Sequence, residues 1–146
     1  MKQKYIDLYM DWASRTAQLS HAKRLQVGAV IVKDDSVISY GYNGMPAGWD
    51  NNCEDVIQHS DDTVTLKTKL EVLHAESNAI SKLAKSSNSG NDATIFITHA
   101  PCLDCAKLIY QSGISSVYYR NSYRDIAGVE FLEKSGVTVA KYDTQS

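Results

Sequence analysis

The sequence predicts an α/β protein: a three-layer α/β/α sandwich on a mixed five-stranded sheet. Two observations carry this reading. Short runs rich in Val, Ile, Tyr and Phe alternate along the chain with stretches of helical apolar spacing, the pattern of strands linked by crossover helices. The first two runs are separated only by a short polar turn, so one antiparallel hairpin precedes the crossovers. The expected order is α-β-β-α-β-α-β-α-β, in one domain over residues 1–146.

Tyr5, Leu8, Tyr9, Trp12 and Leu19 recur at roughly helical spacing and predict an opening helix. Val27 to Lys33 (VGAVIVK) is a buried-type strand rich in β-branched residues. Asp34, Asp35 and Ser36 supply a turn, and Val37 to Tyr42 returns as the second strand of the hairpin. From Asn43 to about Thr65 the chain is glycine-rich and polar with no clear period. A loop of that length is usually functional or disordered. Ala75, Ala79, Ile80 and Leu83 form the inner face of a second helix, which SSNSGND ends. Ala93 to Thr98 is the third strand, and Pro101 opens the next helix, where its missing N–H has no partner to lose. Ser116 to Arg120 is the fourth strand. Ile126, Val129, Phe131 and Leu132 mark the last helix, and Val137 to Tyr142 the last strand.

Composition narrows the class of function. A hydrophobic fraction of 43% with 22% charged residues is that of a soluble globular chain. No apolar run approaches the ~20 residues of a membrane helix, and the opening MKQKYIDLYMDWASR carries carboxylates and a helical pattern, which are not expected of a signal peptide. A cytoplasmic protein is expected, with no membrane partner. The formal net charge of −2 and pI of about 6.0 argue against a nucleic-acid partner, which needs a basic face. A single nucleotide needs only a few local cations. Three cysteines are too few and too odd in number for a disulfide framework, so the C-x-x-C of Cys102 and Cys105 is a redox pair or part of a metal site.

His74-Ala75-Glu76 decides between these two. It opens one predicted helix, and Cys102 and Cys105 open the next. One imidazole and two thiols suit Zn²⁺, and helix N-termini favour the thiolate form. Three protein ligands leave the fourth tetrahedral position to water, the mark of a catalytic zinc, which brings the pKa of that water to about 7. Glu76, beside His74 but not required as a ligand, is placed to carry protons among water, ring nitrogen and leaving amine.

H-x-E…P-C-x-x-C is the signature of zinc nucleobase deaminases. Together with QVGAVIV, GYNGMPAG, HAESNAI, PCLDCAKLIYQSGI and the Tyr-rich strand that follows, the chain resembles the deoxycytidylate (dCMP) deaminase family from about Val27 to Val139. The resemblance implies hydrolysis of dCMP to dUMP and ammonia. It assigns His74, Cys102 and Cys105 as ligands of one catalytic Zn²⁺, Glu76 as proton shuttle, and Asn43 as the residue that anchors the sugar. Tyr123 corresponds to a position near the base and sugar pocket. Arg120 and Arg124 are the candidate cations for the 5′-phosphate.

The resemblance further implies a homo-oligomer, commonly a hexamer, activated by dCTP and inhibited by dTTP at a separate site. The loop after GYNGMPAG, with Gly44, is where the family places the effector. Lys85, Lys23 and Arg24 are the cations that would meet a triphosphate and its Mg²⁺. Some relatives carry a second, structural zinc, for which only Cys53 and His59 stand in the long loop, so one zinc per chain is expected. His21, His59 and His99 receive no assigned role. Other readings are deamination of another cytosine nucleotide such as dCTP, of a base in RNA, or a catalytically silent zinc module. Glu76 argues against the last.

Overall fold

The computed structural model describes residues 1–143. Five strands form one sheet in the order β2-β1-β5-β6-β7. They are β1 (Gly28–Lys33), β2 (Ser36–Tyr42), β5 (Thr94–His99), β6 (Ser116–Asn121) and β7 (Thr138–Lys141). β1 runs antiparallel to both β2 and β5, whereas β5, β6 and β7 are parallel. The parallel links are made through α3 (Leu103–Gln111) and α4 (Ala127–Lys134), since parallel neighbours require a crossover. The expected three-layer mixed sheet is present. At the β1–β2 turn, Asp34 and Asp35 adopt φ of 50° and 60°, the backbone of a type I′ hairpin.

Strand alternation sorts the core into two layers. Ala29, Ile31, Ile95, Ile97 and Val117 face α2 (Ala75–Leu83), α3 and α4 and pack with Ala79, Ala106, Ile109 and Leu132. Val30, Val32 and Phe96 face the other way, toward α1 (Gln3–Ala17) and its Ile6, Tyr9, Met10 and Ala13. Phe96 lies stacked on Tyr118 with ring centroids 5.1 Å apart, and tilted against Tyr9 at 5.4 Å. The Tyr142 hydroxyl donates to Asp7 Oδ1 at 2.8 Å, tying the last strand's end to the first helix.

The face that α1 buries differs from the expected one. Of Tyr5, Leu8, Tyr9, Trp12 and Leu19, only Tyr9 is buried, and the helix ends at Ala17, before Leu19. The buried stripe is Ile6, Tyr9, Met10, Ala13 and Ala17. Close approach explains the choice. A Cβ on Gly28 would overlap Ala13 O, so α1 turns its alanines to the sheet and leaves its bulky residues outside.

Asn43 to Thr65 also differs. The glycine-rich part is irregular, but β3 (Glu54–Gln58) and β4 (Val64–Thr68) form a separate antiparallel hairpin. β-Branched residues flank a polar turn through Asp61 and Asp62, the latter at φ 66°, a hairpin signal hidden by the irregular stretch before it.

Candidate active site

Two helix N-termini converge on one point. His74 is the N-cap of α2 and Cys102 the N-cap of α3, both with extended backbone (φ −80°, ψ 154° and φ −70°, ψ 170°). Their carbonyls accept the first helical bonds, from Asn78 N–H at 3.0 Å and Ala106 N–H at 2.9 Å. Because Cys102 is extended, α3 starts at Leu103, and Pro101 stands ahead of the helix instead of in its first turn. Neither side chain caps its own helix N-terminus; His74 and Cys102 turn toward each other.

His74 Nδ1 lies 3.3 Å from Cys105 Sγ and 3.6 Å from Cys102 Sγ. All three potential ligand atoms fall within 4.8 Å of one another. Zn–S and Zn–N bonds of about 2.3 and 2.0–2.1 Å at tetrahedral angles set an N···S edge of about 3.6 Å. Both the spacing and the donor chemistry fit zinc. The Cys102 thiol is pushed down to about 4, first by the hydrogen bond from Cys105 and then by His74. Cys105 moves up for the same reason, the two sulfurs sharing one proton. The bond to Cys102 raises His74 in turn. A metal that displaces this proton finds both sulfurs in place.

Glu76, on the first turn of α2, is only 4% exposed. Burial pushes its carboxyl up to about 7, offset in part by its own backbone N–H and by His74. A buried carboxyl held near neutrality can both take and return a proton. The helix beneath it is pinned to β2. Gly41 leaves room for Ala75 O, Asn78 Nδ2 donates to Tyr42 O at 2.9 Å, and Ser39 Oγ donates to Ala79 O at 2.6 Å. At α3, Gly128 of α4 admits the Pro101–Cys102 backbone against it.

His74, Glu76 and Cys102 line a cavity of about 620 Å³, together with Asn43, Tyr123, Arg124 and Arg24. That volume suits a small-molecule ligand. A model of the cytidine and deoxycytidylate deaminase zinc-binding region matches residues 3–121. The chain belongs to this deaminase family. It is 36% identical to ComE operon protein 2 of Bacillus subtilis over 92% of this chain and 69% of that protein. With the deoxycytidylate deaminase of Saccharomyces cerevisiae it shares 35% identity over 97% of this chain but only 46% of the yeast protein. The human deoxycytidylate deaminase is 35% identical over 95% of this chain and 84% of its own length. The dCMP deaminase of cyanophage S-TIM5, solved in complex with dCMP and dUMP, is 43% identical, with a TM-score of 0.86 over 97% of this chain and 99% of that one. A tRNA:A34 deaminase structure, 19% identical with a TM-score of 0.56, shares the fold alone.

Several deaminase positions expected from sequence lie elsewhere. Arg120 does not line the cavity; it pairs with Asp11 at 3.4 Å and sits over the Tyr142 ring, on the α1 face. Outward alternation along β6 puts it there. Arg24, expected at an effector site, lines the large cavity and donates to Thr68 Oγ1 at 3.3 Å. Lys23 is exposed, its backbone N–H bonded to Glu54. Lys85 is exposed beyond the end of α2 and lines neither this cavity nor the smaller one. Gly44 lines that second cavity, of about 160 Å³, with Met45 and Cys53. His59 bonds Thr65 in the hairpin turn. Two ionisable cavity residues had been given no role: Glu54, which carried no sequence signal, and His99, which its position just before Cys102 had placed near the site. Glu54 comes from the unexpected hairpin, and His99 bonds Thr98 Oγ1 through Nδ1 at 2.9 Å. Its place at a strand's carboxyl end beside P-C-x-x-C was the available clue.

Proposed function

We propose that the chain hydrolyses dCMP to dUMP and ammonia, with one Zn²⁺ held by His74, Cys102 and Cys105. The observation that carries this is Glu76, a buried carboxyl set against the three ligands in a cavity of nucleotide size. The likeness to the cyanophage dCMP deaminase supports the choice of substrate. When bound, zinc supplies Lewis-acid activation of water at neutral pH. Glu76 takes a proton from the attacking water, passes one to the ring nitrogen N3, and delivers one to the departing amine. The C4–N bond breaks as the new C4–O bond becomes the uracil carbonyl. Asn43 anchors the sugar, Tyr123 flanks base and sugar, and Arg24 and Arg124 meet the 5′-phosphate as charge-assisted donors. Three free cysteines accord with a reducing, cytoplasmic setting, and no helix of the described residues is long and apolar enough to cross a membrane. The test is a spectrophotometric comparison of dCMP, dCDP, dCTP and deoxycytidine. Preference for dCTP or the nucleoside would refute the assignment.

We also infer a homo-oligomer, a hexamer, activated by dCTP and inhibited by dTTP with Mg²⁺ on the triphosphate. Gly44 lines a cavity separate from the substrate pocket, as an effector contact requires, and its roughly 160 Å³ takes only part of a nucleotide. The exposed Leu8, Trp12, Val56, Val64 and Leu70 support subunit contacts. Lys85 reaches an effector only if assembly brings a neighbouring subunit to it. Rate against dCMP concentration, alone and with each effector, decides. Superimposable curves leave an unregulated enzyme.

A further inference from the structure

The dipeptide that follows β2 is chemically labile. Asn43–Gly44 is the single Asn-Gly pair of the chain. In such a pair the backbone nitrogen of the glycine attacks the asparagine Cγ, since glycine has no side chain to bar the approach. The N–Cγ bond forms, the Cγ–Nδ2 bond breaks, and ammonia leaves with the proton of the attacking nitrogen. Water then opens the cyclic imide at either carbonyl. The products are aspartate and its isomer, in which the backbone runs through the former side-chain carbon.

The packing does not require glycine here, since a Cβ on Gly44 would meet no atom within 4 Å. The fold instead clamps the polar atoms around the reacting peptide. Asn43 Oδ1 accepts Val27 N–H at 2.8 Å, and Nδ2 donates to Leu25 O at 2.8 Å. Asn43 O accepts the Ser20 hydroxyl at 2.7 Å, and Gly44 N–H donates to Leu73 O at 3.1 Å. Leu73 N–H returns a bond to Gly44 O at 2.8 Å. Ring closure turns the Asn43–Gly44 peptide and swings the side chain toward it. That motion breaks the Ser20 and Leu73 bonds together, so the reaction waits on a local opening of the clasp.

We propose that Asn43 is a site of spontaneous deamidation gated by this clasp, and that its conversion ends the working life of the protein. Aspartate sets a carboxylate oxygen against Leu25 O and removes the Nδ2 donor. The isomer lengthens the backbone beside Gly44 and displaces Leu73, the neighbour of His74. The loss of activity rests on the function proposed above; the modification does not.

The test ages zinc-loaded wild type, Ser20→Ala and Gly44→Ala in mildly alkaline buffer, each folded and in urea. Peptide mass mapping follows the amide-to-acid gain at Asn43, and dCMP turnover is read on the same samples without effectors. One hydrogen bond shifts such an opening by about 2- to 12-fold. Folded wild type should therefore convert about 10-fold or more slowly than in urea, where Asn43 should react before any other asparagine. Folded Ser20→Ala should convert about 2- to 12-fold faster than folded wild type, with equal rates in urea. Gly44→Ala should slow conversion in both conditions and prolong activity in parallel, which decides the matter even if Ser20→Ala fails to fold. Folded wild type that converts as fast as in urea, or Ser20→Ala that converts no faster than wild type, overturns the gating. Activity that outlasts the Asn43 amide overturns the proposal as well. A chain that ages as stated but never turns over dCMP supports the site and refutes only the function.

Discussion

Gly128→Ala sets two effects against each other, and the structure says which wins. Gly128 stands in the first turn of α4, where alanine is favoured over glycine by about 1 kcal/mol. On propensity alone the variant would be more stable. A Cβ there, however, would overlap Pro101 O and lie 2.8 Å from both the carbonyl carbon and oxygen of Cys102. All three are backbone atoms, so no side chain can swing aside. Ordinary van der Waals contact begins at 3.4 Å, so α4 or the Pro101–Cys102 peptide must move. Overpacking of this kind costs about 1–3 kcal/mol. The backbone-only contact places this site in the upper part of that range, for a net loss of about 1–2 kcal/mol. At about 2–4 °C per kcal/mol for a chain of this size, Tm should fall by about 2–8 °C. Because the displaced residue is Cys102, zinc affinity should drop as well, by about 10–100-fold as for other supports of metal ligands. Thermal unfolding of the metal-free protein and competition with a chromophoric chelator measure the two effects. A variant that melts higher and binds zinc as tightly as its parent would refute the packing argument.

Three further outcomes are expected. Glu76→Gln should retain zinc yet lose about 10²–10⁴ or more in deamination rate; a variant keeping a tenth of the activity would remove Glu76 from the shuttle role. Metal analysis should find one zinc per chain, lost together with activity in His74→Ala or Cys102→Ala, whereas two tightly held zincs would contradict the three-ligand site. Burial lowers the pKa of His99 below its ordinary value of 6.5. Its neutral form therefore favours the fold, a contribution present above about pH 6.5 and lost as pH falls through the depressed value. Urea midpoints of wild type and His99→Asn between pH 7.5 and 5 should diverge, with wild type losing more on acidification. Parallel profiles would exclude His99 as a source of acid lability.

Much of this was readable before any coordinates. The hairpin of β1 and β2 and the runs at Ile95, Val117 and Val139 follow from strand chemistry, and H-x-E with P-C-x-x-C placed the triad, because metal ligation fixes residue types and spacing. What escaped notice depends on approach distances. On α1 both Tyr5-Leu8-Trp12 and Ile6-Met10-Ala13-Ala17 satisfy helical spacing. Only the contact with Gly28 selects the smaller set. Arg120 and Arg124 look alike in sequence, yet strand alternation sends one to Asp11 and leaves the other at the cavity. Glu54 could not be placed at the cavity from sequence because the β3–β4 hairpin that carries it lay hidden behind an irregular stretch.

The tie between Asp7 and Tyr142 has a consequence for how the molecule is made. α1 leaves the ribosome before Val30, Val32, Phe96 and Tyr142, which cover its buried stripe. Those partners follow α1 along the chain in turn, Tyr142 lying 135 residues beyond Asp7. Until they are made, Ile6, Tyr9 and Met10 remain without their full shelter. Loop closure over such a separation is slow compared with local helix formation. The nascent chain thus carries an unprotected amphipathic segment while the strands that cover it are still being made, a natural target for holding chaperones and the place where a stalled chain would aggregate.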